Sequence, residues 1–350
     1  MKLKEAQLST ASFDPASADL PERLQRWLEG QWGQPVSISA WRRFPGGMSW
    51  VTIGFTAQVG QETRELILRL GDPGGLFAPY RTEPEFLALT TLAQVPGLPI
   101  PPALLRCDDP EVLGAPFMVT GRVPGDAPTP WSGAVNRNET ERVELGKAFS
   151  ETLGALHAFD WRGTELERWA EGLTPQNSAR REVRRWAAEC GYPENPLPPA
   201  MHYGMRWLEV HAPVVERIVV VHGDYRVGNF LRVGGAITAI LDWELVHLGD
   251  PHEDLAWAGL RAFAPSDSDH VGGLVDRDVF HARYSERSGL AVDPARLRYY
   301  EVLMQFKSSA MLLGAARRVA SGRASDTRMA SMGFQLTPTL MQMLRLMESA

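Results

Sequence analysis

Apolar residues first recur at helical spacing in Leu20, Leu24, Trp27 and Leu28, which predicts an amphipathic helix. Asp19 and Glu22 at its start have the form of a capping box. Between residues 38 and 70 the period changes. SISAWRRF, WVTIGFTAQV and RELILRL read as three strands, separated by the glycine pair at 46–47 and by the polar turn GQET at 60–63. The Gly- and Pro-rich stretch GDPGGLFAPY leads into a helix at 83–94, which Pro96, Pro99, Pro101 and Pro102 end. FMVTGRV (117–123) predicts a further strand, closed by Pro124-Gly125.

From there the period turns helical. Residues 139–158 place Val143, Leu145, Phe149, Leu153 and Leu156 on one face, and further helices are predicted near 177–190 and 200–212. RIVVVHGD, NFLRV and AITAILDW form a compact β insertion, the last two joined by Gly234-Gly235, and the chain after residue 253 reads as mostly helical. The expected organisation is an α+β fold of two lobes. A small sheet-plus-helix lobe (1–120) is followed by a hinge (121–126) and a larger, mainly helical lobe (127–350). Ligands tend to bind in clefts between two such bodies.

Composition narrows the function. A net charge of −6 excludes a global basic field for nucleic acid or an acidic membrane. Two cysteines, Cys107 and Cys190, make neither a disulfide framework nor a metal-ligand spacing. The opening residues MKLKEAQLSTASFD carry no apolar leader, and no stretch approaches a membrane span, so a cytoplasmic protein is expected. The eleven tryptophans predict buried aromatic platforms, in the core or around a ligand cavity.

The chemistry concentrates in HGDYRVGNF (222–230), a polar segment between apolar runs, and in ILDWE, where Asp242 closes a strand. A tight hairpin would bring Asp224, Asn229 and Asp242 together. Two carboxylates and an amide oxygen form a hard, all-oxygen set that suits magnesium. Phosphoryl transfer needs such a set: in-line positioning, metal ions on the phosphates, and a base for the accepting hydroxyl.

HGDYRVGN together with ILDWELVHLGDPHEDLAW resembles the aminoglycoside phosphotransferase-like family, distant relatives of protein kinases, and landmarks follow in the same order over nearly the whole chain. The resemblance implies a protein-kinase-like two-lobe fold with ATP and Mg2+ as cofactors. It implies Asp224 as catalytic base, Asn229 and Asp242 as magnesium ligands, and Arg226 as a contact to the γ-phosphate. Arg69, in LILRL, stands where kinases have the strand lysine that grips the phosphates; Arg keeps the charge but changes its geometry. Glu85 falls at the partner position on the following helix, although such a pair is also an ordinary surface salt bridge. FPGGMSW resembles the nucleotide loop, with Gly47 and Ser49 as candidate contacts, and Gly121 and Val123 would offer backbone to adenine. No GxxxxGK[ST] occurs, which excludes a P-loop kinase.

Asp254 precedes an apolar helical run, where an N-cap is the default. In the family this aspartate braces the catalytic loop, and that reading also explains its place at a helix start. His222 reads as another brace. Glu244 either supports the metal site from behind or is solvated.

ILDWELVHLGDP is closer to the phosphotransferase domains fused to, or encoded beside, acyl-CoA dehydrogenases, which implies a hydroxylated acyl-CoA or related small molecule as acceptor. Arg181, Arg184 and Arg185, in SARREVRRW, are candidate substrate residues able to hold CoA phosphates, or else a solvated helix face. GAARRVASGRASDTR (314–328) adds further arginines, so the polycationic antibiotics fit less well. Three alternatives stay open: an antibiotic phosphotransferase, a nucleotide- or CoA-binding pseudokinase, and a phosphatase using His222, Asp224, Asp242, Asp250, His252 and Asp254 for two metals. Oligomeric state is not readable.

Overall fold

Ten residues of strand β2 (Trp50–Val59) pair along their whole length with β3 (Glu62–Gly71), from Trp50 opposite Gly71 to Val59 opposite Glu62. The polar turn at 60–61 sets this register, and the β-branched and aromatic residues around it suit a pleated surface. The computed structural model describes residues 15–129, 138–266 and 268–349; the opening segment 1–14, where the expectation of no leader falls, lies outside the described residues.

Around this hairpin a five-stranded antiparallel sheet has the order β1-β2-β3-β5-β4, with β1 Val36–Arg43, β4 Ala103–Cys107 and β5 Phe117–Gly121. Helix α1 (Leu20–Trp32) buries Leu20, Leu24 and Leu28 in the same core as Ile53, Phe55, Leu66, Leu68, Phe117 and Val119. The predicted capping box does not form. Asp19 takes helical torsions and no cap bond; its carboxylate accepts from Ser17 Oγ at 2.5 Å instead. Strand β4 is the one element of this sheet that the sequence pattern did not announce, because it follows a run of prolines.

The remaining helices are α2 (Glu83–Leu92), α3 (Pro110–Leu113), α4 (Glu139–Ala158), α5 (Ser178–Glu189), α6 (Pro199–Val210), α7 (His252–Ala258), α8 (Arg277–Ser288), α9 (Pro294–Ala320), α10 (Thr327–Met332) and α11 (Leu336–Glu348). The chain divides into two compact units. One comprises residues up to Glu83 with Ala103–Arg122; the other comprises Pro84–Pro102 with the residues from Val123 onward. In the second unit α4 buries Leu145, Phe149, Leu153 and Leu156, as its periodicity predicts. Val143 departs from that stripe and is 52% exposed, because it stands in the first turns, ahead of the buried face. Phe149 stacks on Tyr225 with ring centroids 4.6 Å apart, and the Tyr225 hydroxyl donates to the Phe149 carbonyl at 2.7 Å. That contact ties the loop at 222–230 to the helical core.

Two short antiparallel pairs frame this loop: β6 (Val219–Val221) with β9 (His247–Gly249), and β7 (Phe230–Val233) with β8 (Ala236–Ile240). Among the described residues no helix is long and apolar enough to cross a membrane.

Candidate active site

Register does the first part of the assembly. Phe230 lies opposite Ile240 in the β7–β8 hairpin, and Leu241 N donates to the Asn229 carbonyl at 2.8 Å. Asn229 and Asp242 therefore emerge at the same end of the hairpin. Asp242 has φ +60° and ψ +59°, a left-handed conformation that a non-glycine residue adopts at a cost, and such outliers concentrate at functional sites.

The carboxylate of Asp224 collects several donors. Trp257 Nε1 donates to Oδ1 at 2.6 Å and Arg226 Nε to the same oxygen at 3.0 Å. Asn229 Nδ2 donates to Oδ2, and also to the Asp224 carbonyl at 3.0 Å. With its amide nitrogen spent on Asp224, Asn229 has its oxygen left to serve as a ligand. The guanidinium of Arg226 also lies over the Phe263 ring, 5.1 Å from the centroid.

Behind the loop stands Asp254. It lies within the first turn of α7, not at its cap, and is fully buried. Its Oδ2 accepts from His222 N at 2.7 Å and its Oδ1 from Gly223 N at 2.9 Å, while His157 Nε2 sits 3.2 Å from Oδ2. Burial alone would raise its pKa, but the hydrogen bond and charge of His157 and the donors of the loop outweigh it and hold the carboxyl low. His222 Nε2 faces the Leu241 carbonyl at 2.9 Å, and its Nδ1 accepts from Asp224 N at 3.1 Å. Burial pushes its pKa down, so the neutral ring is a brace between loop and hairpin. Gly223 has φ +83°, and a Cβ there would meet the Leu245 carbonyl at 2.6 Å; only glycine fits this turn.

Two contributors escaped the sequence reading. Lys307, in α9, is 3% exposed and donates from Nζ to the Gly223 carbonyl. Its ammonium lies 4.0 Å from the Trp257 ring centroid and 5.2 Å from that of Trp186. Burial lowers its pKa, against the pull of Asp224, Glu253 and Asp254. Trp257 is the second, through its bond to Asp224. Its place in the run DLAW made it look like one more apolar helix residue. Trp257→Phe keeps the aromatic face and removes that N–H. A hydrogen bond to a charged group contributes about 1.5–3 kcal/mol, so kcat is expected to fall about tenfold with nucleotide KM unchanged. Steady-state kinetics of the variant checks this, and undiminished kcat would show that turnover does not depend on the indole's hold on the Asp224 carboxylate.

The other predicted residues are placed as follows. Arg69, in β3 opposite Met118, has its guanidinium 5.4 Å from the Trp50 ring centroid. Glu85 is buried in the first turn of α2. Gly47 and Ser49 belong to the loop between β1 and β2, whose Met48 and Ser49 carbonyls accept from Leu76 N at 2.7 Å and Asp72 N at 3.1 Å. Gly121 ends β5 opposite Leu66, and Val123 leads into a segment that meets the β7–β8 hairpin through Asp126 and Arg232. Glu244 is half-buried in the short turn after Asp242.

The three candidate arginines of α5 separate. Arg181 and Arg185 line a cavity of about 470 Å³, together with Trp169, Glu182 and His247. Arg184 does not; it is 70% exposed and lies 3.8 Å from Glu209.

With this geometry in place, likeness to known proteins is informative. The phosphotransferase enzyme family (APH) matches residues 52–300. Acyl-CoA dehydrogenase family member 10 of Mus musculus is 29% identical over 282 residues, covering 75% of this chain and 25% of that protein. Acyl-CoA dehydrogenase family member 11 of Gallus gallus is 30% identical over 332 residues, covering 89% of this chain and 41% of that protein. The chain thus spans a quarter to two-fifths of these relatives. Among solved structures, a putative aminoglycoside phosphotransferase from Ralstonia eutropha JMP134 aligns over 94% of this chain and 98% of its own, with TM-score 0.70 and 24% identity. Aminoglycoside phosphotransferase APH(4)-Ia, as a thermostable mutant in ternary complex with AMP-PNP and hygromycin B, aligns over 93% and 98% with TM-score 0.54 and 17% identity. These likenesses show a protein-kinase-like α+β fold. The match over residues 52–300, which takes in the loop at 222–230 and Asp242, makes this chain a member of the phosphotransferase enzyme family.

Proposed function

We propose that the chain is a Mg-ATP-dependent phosphotransferase that phosphorylates a hydroxyl of a small molecule, a hydroxyacyl-CoA or related metabolite, with Asp224 as the base. The observation that carries this reading is the Asp224 carboxylate held between Trp257, Arg226 and Asn229, beside a hairpin that ends in Asn229 and Asp242. Donors that fix both oxygens orient the base toward an accepting hydroxyl. The residues fit Mg2+: an amide oxygen left over on Asn229 and the carboxylate of Asp242 are hard oxygen donors. Bound there, Mg2+ would neutralise charge on the nucleotide phosphates. Arg226 is assigned to the γ-phosphate. Arg69, Glu85, Gly47, Ser49, Gly121 and Val123 are assigned to the nucleotide, and AMP-PNP in the APH(4)-Ia complex supports a nucleotide of the ATP type.

Arg181 and Arg185 give the cavity wall two guanidinium groups against the one carboxylate of Glu182, which pairs with Arg185 at 3.5 Å, a balance that favours an anionic acceptor over a polycationic antibiotic. The acyl-CoA dehydrogenase names of the curated relatives support an acyl-CoA metabolite. A two-metal phosphatase fits poorly. His252 faces Asp250 through Nδ1 at 2.6 Å and accepts from Asp293 N through Nε2 at 3.0 Å, so both of its nitrogens are occupied.

Phosphorus NMR of the protein with Mg-ATP and a panel of hydroxyacyl-CoAs, aminoglycosides and amino alcohols tests the reading. A phosphomonoester and ADP are expected with a hydroxyacyl-CoA. A phosphorylated aminoglycoside would transfer the assignment to antibiotics. Nucleotide binding without product across the panel would make the chain a pseudokinase, and phosphate release from a monoester without nucleotide would make it a phosphatase.

A further inference from the structure

One cluster of buried polar groups has no role assigned to it in the proposed transfer, although two of its members line the same cavity as Arg181 and Arg185. Helix α5 supplies Glu182, β9 supplies His247 and α7 supplies Glu253. One ligand atom from each lies within 4.8 Å of the others. His247 Nε2 is 3.2 Å from Glu253 Oε2 and 3.7 Å from Glu182 Oε1. Tetrahedral coordination with bonds of about 2.1 Å separates neighbouring ligand atoms by about 3.4 Å, and the two observed separations bracket that value.

The surroundings of the three side chains point the same way. His247 Nδ1 lies 2.9 Å from the Leu245 carbonyl and 3.3 Å from Arg185 Nη1, and the shorter contact favours the tautomer protonated at Nδ1. The Nε2 lone pair is then directed at two carboxylates, an arrangement that calls for a cation or a proton between them beyond the charge that Arg185 brings to Glu182 and the buried Lys307 brings to both. Metal-bound histidines typically make this bond from their other nitrogen to a backbone carbonyl. Glu182 is oriented in the same fashion: its Oε2 takes Arg185 Nη1 at 3.5 Å, while Oε1 faces His247. Glu253 Oε1 is buried and finds no hydrogen-bond partner among the described residues, which is costly for a carboxylate unless an ion satisfies it. At Gly249 a Cβ would fall 2.7 Å from Glu253 Oε1 and 3.1 Å from His247 Nε2, so glycine keeps this space open. Glu182 and His247 also line the cavity, which gives an ion a way in and a source of water for its remaining positions.

We propose that Glu182, His247 and Glu253 form a second cation site, selective for a transition-metal ion of the Zn2+ or Mn2+ class and separate from the magnesium site at Asn229 and Asp242. One imidazole and two carboxylates suit such an ion better than Mg2+. Bound there, it clamps α5 to the β9–α7 connection, one residue away from the brace Asp254. The competing arrangement has no metal: an imidazolium at His247 pairs with both glutamates, and Lys307 supplies further positive charge to them.

Cobalt(II) distinguishes the two, because its visible absorption reports coordination by nitrogen and oxygen and does not depend on turnover. The full chain, stripped with chelator and held in excess Mg2+, is titrated with Co2+, and Zn2+ is then used to displace it. Saturation at about one Co2+ per chain is expected, and Asp242→Asn retains it. Glu182→Gln and His247→Ala, each confirmed as folded by circular dichroism, are expected to weaken binding at least about tenfold. If His247→Ala does not fold, the isosteric Glu182→Gln decides alone. Absence of saturable Co2+ binding in the unsubstituted chain, or a loss smaller than tenfold in the folded variants, overturns the site and leaves the imidazolium pair. Neither result bears on whether Asp224 is the base.

Discussion

Asp224→Asn is expected to lower phosphotransfer by about 10²–10⁴-fold, the range that a positioned general base contributes. The substitution is nearly isosteric, so the loop stays in place. An amide oxygen can still accept from Trp257 Nε1 and Arg226 Nε, which both bond Oδ1 of the native carboxylate. The other edge is where the change is felt: the new amide N–H meets Asn229 Nδ2, a donor that has lost its acceptor. One unmet hydrogen bond costs about 1–3 kcal/mol, a modest loss of stability beside the loss of rate. Kinetics, nucleotide binding and thermal unfolding of the same preparation separate these effects. The expected pattern is a collapse of kcat with nucleotide affinity retained. Full transfer activity with the true acceptor would remove Asp224 from the role of base.

The second large effect belongs to Asp254. Asp254→Ala strips the acceptor from His222 N and Gly223 N and the partner from His157, all in the interior. Breaking such a buried, charge-assisted cluster destabilises by about 3–5 kcal/mol. Unfolding in denaturant measures this; a change under about 1 kcal/mol would mean that the loop holds itself. The pH dependence follows from the lowered pKa of Asp254 in the fold. An unfolded aspartate titrates near pH 3.9, so between the two values the unfolded chain binds the extra proton. The stability from this carboxylate is therefore complete above the unfolded pKa and is lost as pH falls through the lower, folded one. Asp254→Asn lacks this titration, and its acid unfolding should be less steep than that of the unsubstituted chain.

Much of the framework was legible because it is locally encoded. WVTIGFTAQV and RELILRL carry both strand composition and a polar turn, and they pair as β2 and β3. Residues 139–158 carry a helical stripe and form α4 over the same span. The loop HGDYRVGN and Asp242 could be read together because a single short hairpin joins them. Other parts depend on partners distant in the chain. Lys307 reaches Gly223 across 84 positions; Leu303, Met304 and Ala310 put it on the buried face of its helix, but nothing local names the carbonyl it meets. The cluster of Glu182, His247 and Glu253 draws on three elements, so no spacing rule reveals it. Arg184 shows the opposite failure. It lies one position from Arg185 in sequence, yet on a helix that step turns it off the cavity wall and toward Glu209.

The lysine in α9 has a further consequence for the order in which the molecule is made. A nascent chain that has emerged through residue 258 already contains the loop at 222–230, the hairpin that ends in Asp242 and the brace Asp254. It still lacks the ammonium that holds the Gly223 carbonyl. Domains fold as units as they leave the ribosome, so the loop at 222–230 gains this contact only once α9 has followed. A ribosome that stalls before residue 307 therefore leaves the Gly223 carbonyl without its ammonium donor.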